Sequence, residues 1–324
     1  MPPSNFCRSL IFLLLPGTCL AQLRWRAVDS LFAPLPSSLR VYRTTDSLDD
    51  APFLAYFVSA KLEDKNLVFT ARALPEGRLS PAAFYTRENN PLLVVNCSFF
   101  SFESGQNLSL VVADGKIAAY NICSLPGRSV DSGMYYYPTR SALGISRKRK
   151  ADLAWVFADS THRWPYAFEE GPVVAKGKEP VPGILDLDDV DWKWWRMRTA
   201  VGGGPTLVHN GEIRISSREE QMFAGEEMEK QPRTAIGYTH DNRLIILVIQ
   251  GRLRGKAEGA NLLQEARVLK DLGCFNAMNL NGGGSSCLLI NGKETIRPSD
   301  PAGERPVPAV FLIQRAGGKK ARTH

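Results

Sequence analysis

A chain of 324 residues with 44% apolar and 23% charged residues can bury a sizeable core, which excludes a disordered or low-complexity protein. The formal net charge of +7 is modest, and its basic residues gather at Arg147–Lys150 and Lys319–Arg322 as short solvated runs. That distribution argues against a nucleic-acid partner and suits an anionic ligand.

Residues 1–21 read as a secretory signal: Arg8 precedes the apolar run Leu10–Leu15, and Cys19-Leu20-Ala21 supplies the small residues of a cleavage site. The run is too short for a permanent membrane helix, and no later segment reaches that length, so no stable membrane insertion is expected. A secreted or periplasmic location follows. Residues 22–51 are expected to form an N-terminal leader, its proline-rich part (31–38) lying over the domain surface.

The main domain is placed at residues 52–315. Phe53–Ala60 and Leu67–Ala71 read as strands joined by the charged turn Glu63-Asp64-Lys65-Asn66. Leu92–Val95 is a short apolar run suited to a strand buried on both faces. Asp114-Gly115, Asn210-Gly211 and Asn291-Gly292 each sit between apolar runs and predict type I′ hairpins, because both central residues can take positive φ. A fourth hairpin turns at Asp241-Asn242. The region 150–200 looks like an irregular insertion. Ala260–Leu272 has apolar residues at helical spacing, with Gly273 placed as a C-terminal cap. Residues 316–324 form a basic tail. The fold class expected is α+β: a mixed, mostly antiparallel sheet with hairpins and a few packed helices.

Once the signal is removed, Cys97, Cys123, Cys274 and Cys287 remain, an even number whose pairing the sequence does not decide. They form no C-x-x-C pair and the chain has 4 histidines, so a Cys/His zinc site is not expected. The acids of Asp186–Asp191 lack the glycine and closing glutamate of a calcium loop. Trp192, Trp194 and Trp195 read as packing for the insertion. No metal ligand and no cofactor is assigned, metal dependence is left open, and oligomeric state is not legible.

The densest signal is Asn279-Leu280-Asn281-Gly282-Gly283-Gly284-Ser285-Ser286, between two apolar runs. Three consecutive glycines are costly in backbone entropy. They offer unobstructed N–H groups that can wrap an oxyanion, or else a tight turn. Together with Leu269–Gly273, this segment resembles the signature of the phosphodiester glycosidase family. Four more segments agree in order: Val95-Asn96-Cys97-Ser98-Phe99-Phe100, Gly202-Gly203-Gly204-Pro205, Arg233-Thr234-Ala235-Ile236-Gly237 and Gly303-Glu304-Arg305-Pro306-Val307-Pro308. The resemblance spans about residues 52–315.

That resemblance implies hydrolysis of the bond between a sugar's anomeric carbon and a phosphate oxygen, in a sugar-1-phosphate diester carrying a GlcNAc-like sugar. A departing phosphate needs charge stabilisation more than a strong acid. Arg233 and Arg305, with Gly282, Gly283, Gly284, Ser285 and Ser286, are the expected clamp. Asn96, Asn279 and Asn281 are expected to hydrogen-bond sugar or phosphate. The family usually carries Asp where this chain has Asn281, so the reacting carboxylate is sought elsewhere: Glu304 first, Glu265 second. A glycan or sugar-phosphate substrate is the expected partner. The alternative is a catalytically impaired relative that binds phosphorylated or acidic glycans.

Overall fold

The computed structural model describes residues 23–122, 124–127, 129–177, 191–223 and 225–317. Every strand pair among them is antiparallel. The largest sheet has eight strands, in the order Arg26–Ala27, Leu39–Thr44, Ala55–Lys61, Arg243–Ile249, Arg233–Thr239, Cys274–Asn279, Thr206–His209, Glu212–Ile213. A seven-stranded sheet is built around Arg140–Ile145 and Ala151–Phe157, and a five-stranded sheet around Leu93–Asn96 and Ala309–Arg315.

The three sheets close on one core. Val58, Ile246 and Met278 come to it from the first sheet, Leu143 and Val201 from the second, and Val95, Leu288 and Phe311 from the third. Side chains alternate across a strand, so an unbroken apolar run such as Leu244–Ile249 requires cover on both faces. Leu244, Ile246 and Val248 enter the shared core, while Ile245, Leu247 and Ile249 meet Leu262, Ala266 and Leu269 of the helix α2 (Leu262–Asp271) on the outer face. The start of α2 is fixed by a capping box between Asn261 and Gln264, and Gly273 follows it at φ 81°. The helix α1 (Pro81–Arg87) covers the outer face of the five-stranded sheet, Phe84 packing with Val94, Leu289 and Leu312.

The three Asx-Gly hairpins form with both turn residues at positive φ: 51° and 77° at Asp114-Gly115, 53° and 79° at Asn210-Gly211, 47° and 76° at Asn291-Gly292. Other expectations are corrected. The fold is dominated by sheet rather than being α+β with several helices, because α1 and α2 are the only α-helices among the described residues. Residues 22–51 are no surface leader: Leu39–Thr44 pairs along its whole length with Ala55–Lys61 and buries Leu39 and Val41 completely. Nor are the described residues of 150–200 an irregular insertion, since Ala151–Phe157, Tyr166–Phe168, Trp192–Trp194 and Thr199–Gly202 are all strands of the seven-stranded sheet. Trp195 is buried there and donates from its indole to Asp152 at 2.8 Å, while Trp192 and Trp194 pack on Tyr166. The signal segment 1–21, the acids 186–190, Cys123 and most of the basic tail lie outside the described residues. Cys97, Cys274 and Cys287 are free thiols.

Candidate active site

Two neighbouring strands carry the first cluster. Ala235 stands opposite Asn279 in the antiparallel register, so Arg233, Ala235 and Asn279 share the face covered by α2. Arg233 is 3% exposed and donates from Nε to Ala260 O and from Nη2 to Glu229 O, both at 2.9 Å. Its guanidinium lies 5.9 Å from the ring centre of Phe223. Glu265, on α2, is fully buried, and neither carboxyl oxygen has a hydrogen-bond partner. Burial pushes that carboxyl up to about 8, the charge of Arg233 pulling the other way. Burial likewise pulls the Arg233 guanidinium down, against the fields of Glu265, Glu229 and Glu226. Asn279 donates to Gly204 O at 2.9 Å, while its buried Oδ1 has no partner.

From Asn279 the chain turns through the glycine run, a short 3-10 turn at Gly283–Ser285. Much of its N–H capacity is spent on the protein: Asn281 donates to Cys97 O, Gly283 to Pro232 O, Ser285 to Gly282 O and Ser286 to Gly283 O. The bend therefore depends on side chains for most of its positive charge. A Cβ added to Gly284 would lie 2.3 Å from Nη2 and 2.5 Å from Cζ of Arg305, so a larger residue there would push that guanidinium aside. One added to Gly283 would lie 3.2 Å from Nη2 of Arg252. Arg305 is held by Asp300 at 2.8 Å, with the exposed ring of Phe102 centred 5.1 Å away. Arg233 reaches the bend with its backbone: a Cβ on Gly282 would stand 3.6 Å from Arg233 Cα. The expectation that Arg233 and Arg305 supply the two guanidinium groups at the bend is thus amended. Arg305 and Arg252 do so, because the Arg233 side chain points into the α2 face.

The other expected residues divide by what they already bond. Asn96 is fully buried; it donates to Asn281 O, and its Oδ1 accepts from Thr234 Oγ1 and Cys287 N, both at 3.0 Å. Asn96 therefore clasps the bend to two strands. Glu304 accepts from Ala82 N at 2.9 Å, in the first turn of α1, and takes the Cys287 thiol at 3.6 Å. Its carboxylate is occupied at a helix terminus. Glu265, unlike Glu304, has neither carboxyl oxygen bonded to the protein. Asn281 is half-buried at the bend. Ser285 and Ser286 are buried with hydroxyls that have no partner.

Sequence reasoning missed Arg252, Arg140, Glu220 and Phe223. Arg252 was findable: Ile249 stands opposite Arg233, so the polar residues just past that strand fall beside the same sheet end. Glu220 carried no local signal, yet its buried carboxylate accepts from Ser141 N at 2.8 Å and from Trp155 Nε1 and Thr206 N at 3.0 Å. It fixes the loop at Gly204, where an added Cβ would lie 2.6 Å from Glu220 Oε2.

The described residues thus form an antiparallel β protein in which one glycine bend is flanked by Arg252 and Arg305 and adjoins the buried Arg233 and Glu265. Residues 168–314 match the family model described as phosphodiester glycosidase. The chain is 31% identical over 217 residues to N-acetylglucosamine-1-phosphodiester alpha-N-acetylglucosaminidase of Mus musculus, covering 63% of this chain and 33% of that protein. It thus spans about a third of the length of that curated relative. A hypothetical protein from Synechocystis shares the fold with a TM-score of 0.63 at 14% identity, over 90% of this chain and 68% of the other. The catalytic domain of zebrafish N-acetylglucosamine-1-phosphodiester alpha-N-acetylglucosaminidase, auto-inhibited by its pro-peptide, does so with a TM-score of 0.58 at 20% identity, over 91% and 89%. Over residues 168–314 the chain is thus similar to the phosphodiester glycosidase family.

Proposed function

We propose that the protein hydrolyses the bond between the anomeric carbon and the phosphate oxygen of a sugar-1-phosphate diester, outside the cytoplasm. One observation carries this reading. Five of the ten buried side-chain polar atoms without partners among the described residues belong to the bend and to the strand and helix beside it: both oxygens of Glu265, Oδ1 of Asn279 and the hydroxyls of Ser285 and Ser286. Such atoms cost free energy unless something else bonds them, and a polar ligand is the economical explanation.

In this reading the phosphate lies against Gly283 and Gly284, its charge met by Arg252 and Arg305. The anomeric carbon faces Asn279 and the Arg233–Glu265 pair. Water attacks that carbon, the C1–O bond breaks with its electron pair moving to the phosphate, and Glu265 takes the proton from the water. The phosphate monoester leaves without needing an acid. Glu265 must be ionised to act so, and its carboxyl is held at about 8, so turnover rises as pH is raised toward that value. Asn281 favours a second reading, a relative that binds such diesters without cleaving them, because an amide supplies no base.

The test is sugar release from UDP-GlcNAc or another GlcNAc-1-phosphate diester. The hydrolase reading expects turnover by the native chain, a fall of about 100-fold or more in Glu265→Gln with loss of the rising pH limb, and a higher KM in Arg305→Gln. A native chain without turnover that gains it on Asn281→Asp establishes the binding reading. Full turnover in Glu265→Gln removes the proposed base.

A further inference from the structure

Beside Gly203 lies a cavity of about 250 Å3 that the reaction above leaves unused. Phe99, Met222 and Phe223 are among its apolar lining, and Ser109, Asn121, Arg140 and Gln221 are its polar lining. Asn121 is already taken, accepting from Leu110 N at 2.6 Å and donating to Val156 O at 3.3 Å, and Ser109 Oγ accepts from Phe99 N at 3.2 Å. Arg140 differs. It is 7% exposed, its Nε has no hydrogen-bond partner, and among the described residues its guanidinium joins no ion pair. Glu220 attracts it electrostatically, but that carboxylate is committed to Ser141, Trp155, Thr206 and Ser216. A buried cation with donors to spare is an anion site still unfilled.

The cavity also adjoins the proposed reaction centre. A Cβ on Gly203 would lie 2.5 Å from Asn279 O, and Phe223 in its wall is the ring under Arg233. Phe99 and Phe223 meet edge to face with ring centres 5.8 Å apart; this aromatic wall with one polar end suits a single sugar ring, and the volume falls below the roughly 300–1,000 Å3 of pockets for drug-sized ligands. We infer that this cavity binds a monosaccharide unit bearing an oxyanion group, with Arg140 as the residue that selects for it. The inference rests on the sugar-phosphodiester reading for its context, and the acidic unit is a neighbour of the sugar released from C1.

Direct binding to the full chain tests it without turnover, by calorimetric titration with glucuronate, glucose 6-phosphate and glucose. At least one acidic sugar is expected to bind ten-fold or more tighter than glucose. A preference for glucuronate identifies a carboxylate, and one for glucose 6-phosphate a phosphate. Arg140→Met should lower the affinity for the preferred acid about 10- to 100-fold, to the level of glucose. Arg140→Lys, which keeps the charge and loses the planar fork, should fall between the two and serves if the methionine variant does not fold. Acidic sugars no tighter than glucose on the native chain, or a preference unmoved in either variant, overturn the inference. A native chain that prefers acidic sugars yet cleaves no diester retires the hydrolase reading and leaves this one intact.

Discussion

Glu265 shows how one residue couples the site to stability. An exposed glutamate ionises near 4.3, whereas this one keeps its proton up to about 8 in the folded chain. Between those values the folded state holds a proton that the unfolded state has released, so stability falls as pH rises through the window. The slope is at most about 1.4 kcal/mol per pH unit. Denaturant midpoints measured at pH 5 and pH 8 should therefore drop more in the native chain than in Glu265→Gln, which has no proton to lose. Equal drops would mean that the carboxyl is not held neutral by burial. The sequence showed that Glu265 shares the inward stripe of α2 with Leu262 and Leu269. It could not show that Arg233, 32 positions earlier, points at the same face, because that depends on which way the strand's alternation runs. The same limit applies to Arg140, whose neighbours in the cavity come from five separate stretches of chain.

At the level of elements, local signals were legible wherever the chemistry was local. Asx-Gly turns, the Gly273 cap and the apolar period of α2 depend on a few adjacent residues, and each formed where it was read. Ser80-Pro81 before an apolar turn is an equally local start signal, and it marks α1. What sequence did not disclose was sheet membership. Ala55–Lys61 and Leu67–Ala73 adjoin through one turn, yet lie in different sheets, because each finds its apolar partners far along the chain. Glu304 illustrates the consequence. Its motif placed it beside Arg305, but tertiary structure delivers its carboxylate to the start of α1, a favourable position for a negative charge. Replacing it by Gln should cost about 1 kcal/mol in thermal or denaturant unfolding while leaving diester turnover within a few-fold of the native value. A fall of 100-fold in turnover at unchanged stability would restore Glu304 as the reacting carboxylate.

For the whole molecule, the site exists because three sheets close on a shared core, and that closure begins before the family's motifs do. Leu39–Thr44 is bonded through six residue pairs to Ala55–Lys61, which is bonded in turn through seven to Arg243–Ile249, the strand next to Arg233. Removing residues 1–51 would strip Leu39 and Val41 from the core and leave Ala55–Lys61 as a long apolar edge. Loss of two fully buried aliphatic side chains alone costs roughly 3–6 kcal/mol. That is comparable to the whole stability of many domains, about 5–15 kcal/mol, before the lost backbone pairing is counted. A chain starting at residue 52 is therefore expected to aggregate or to melt without a cooperative transition, whereas one starting at residue 23 should unfold in a single sharp step. Circular dichroism melts of the two truncations decide it. A sharp transition in the shorter chain would show that the motif-bearing region holds the bend and its arginines together by itself.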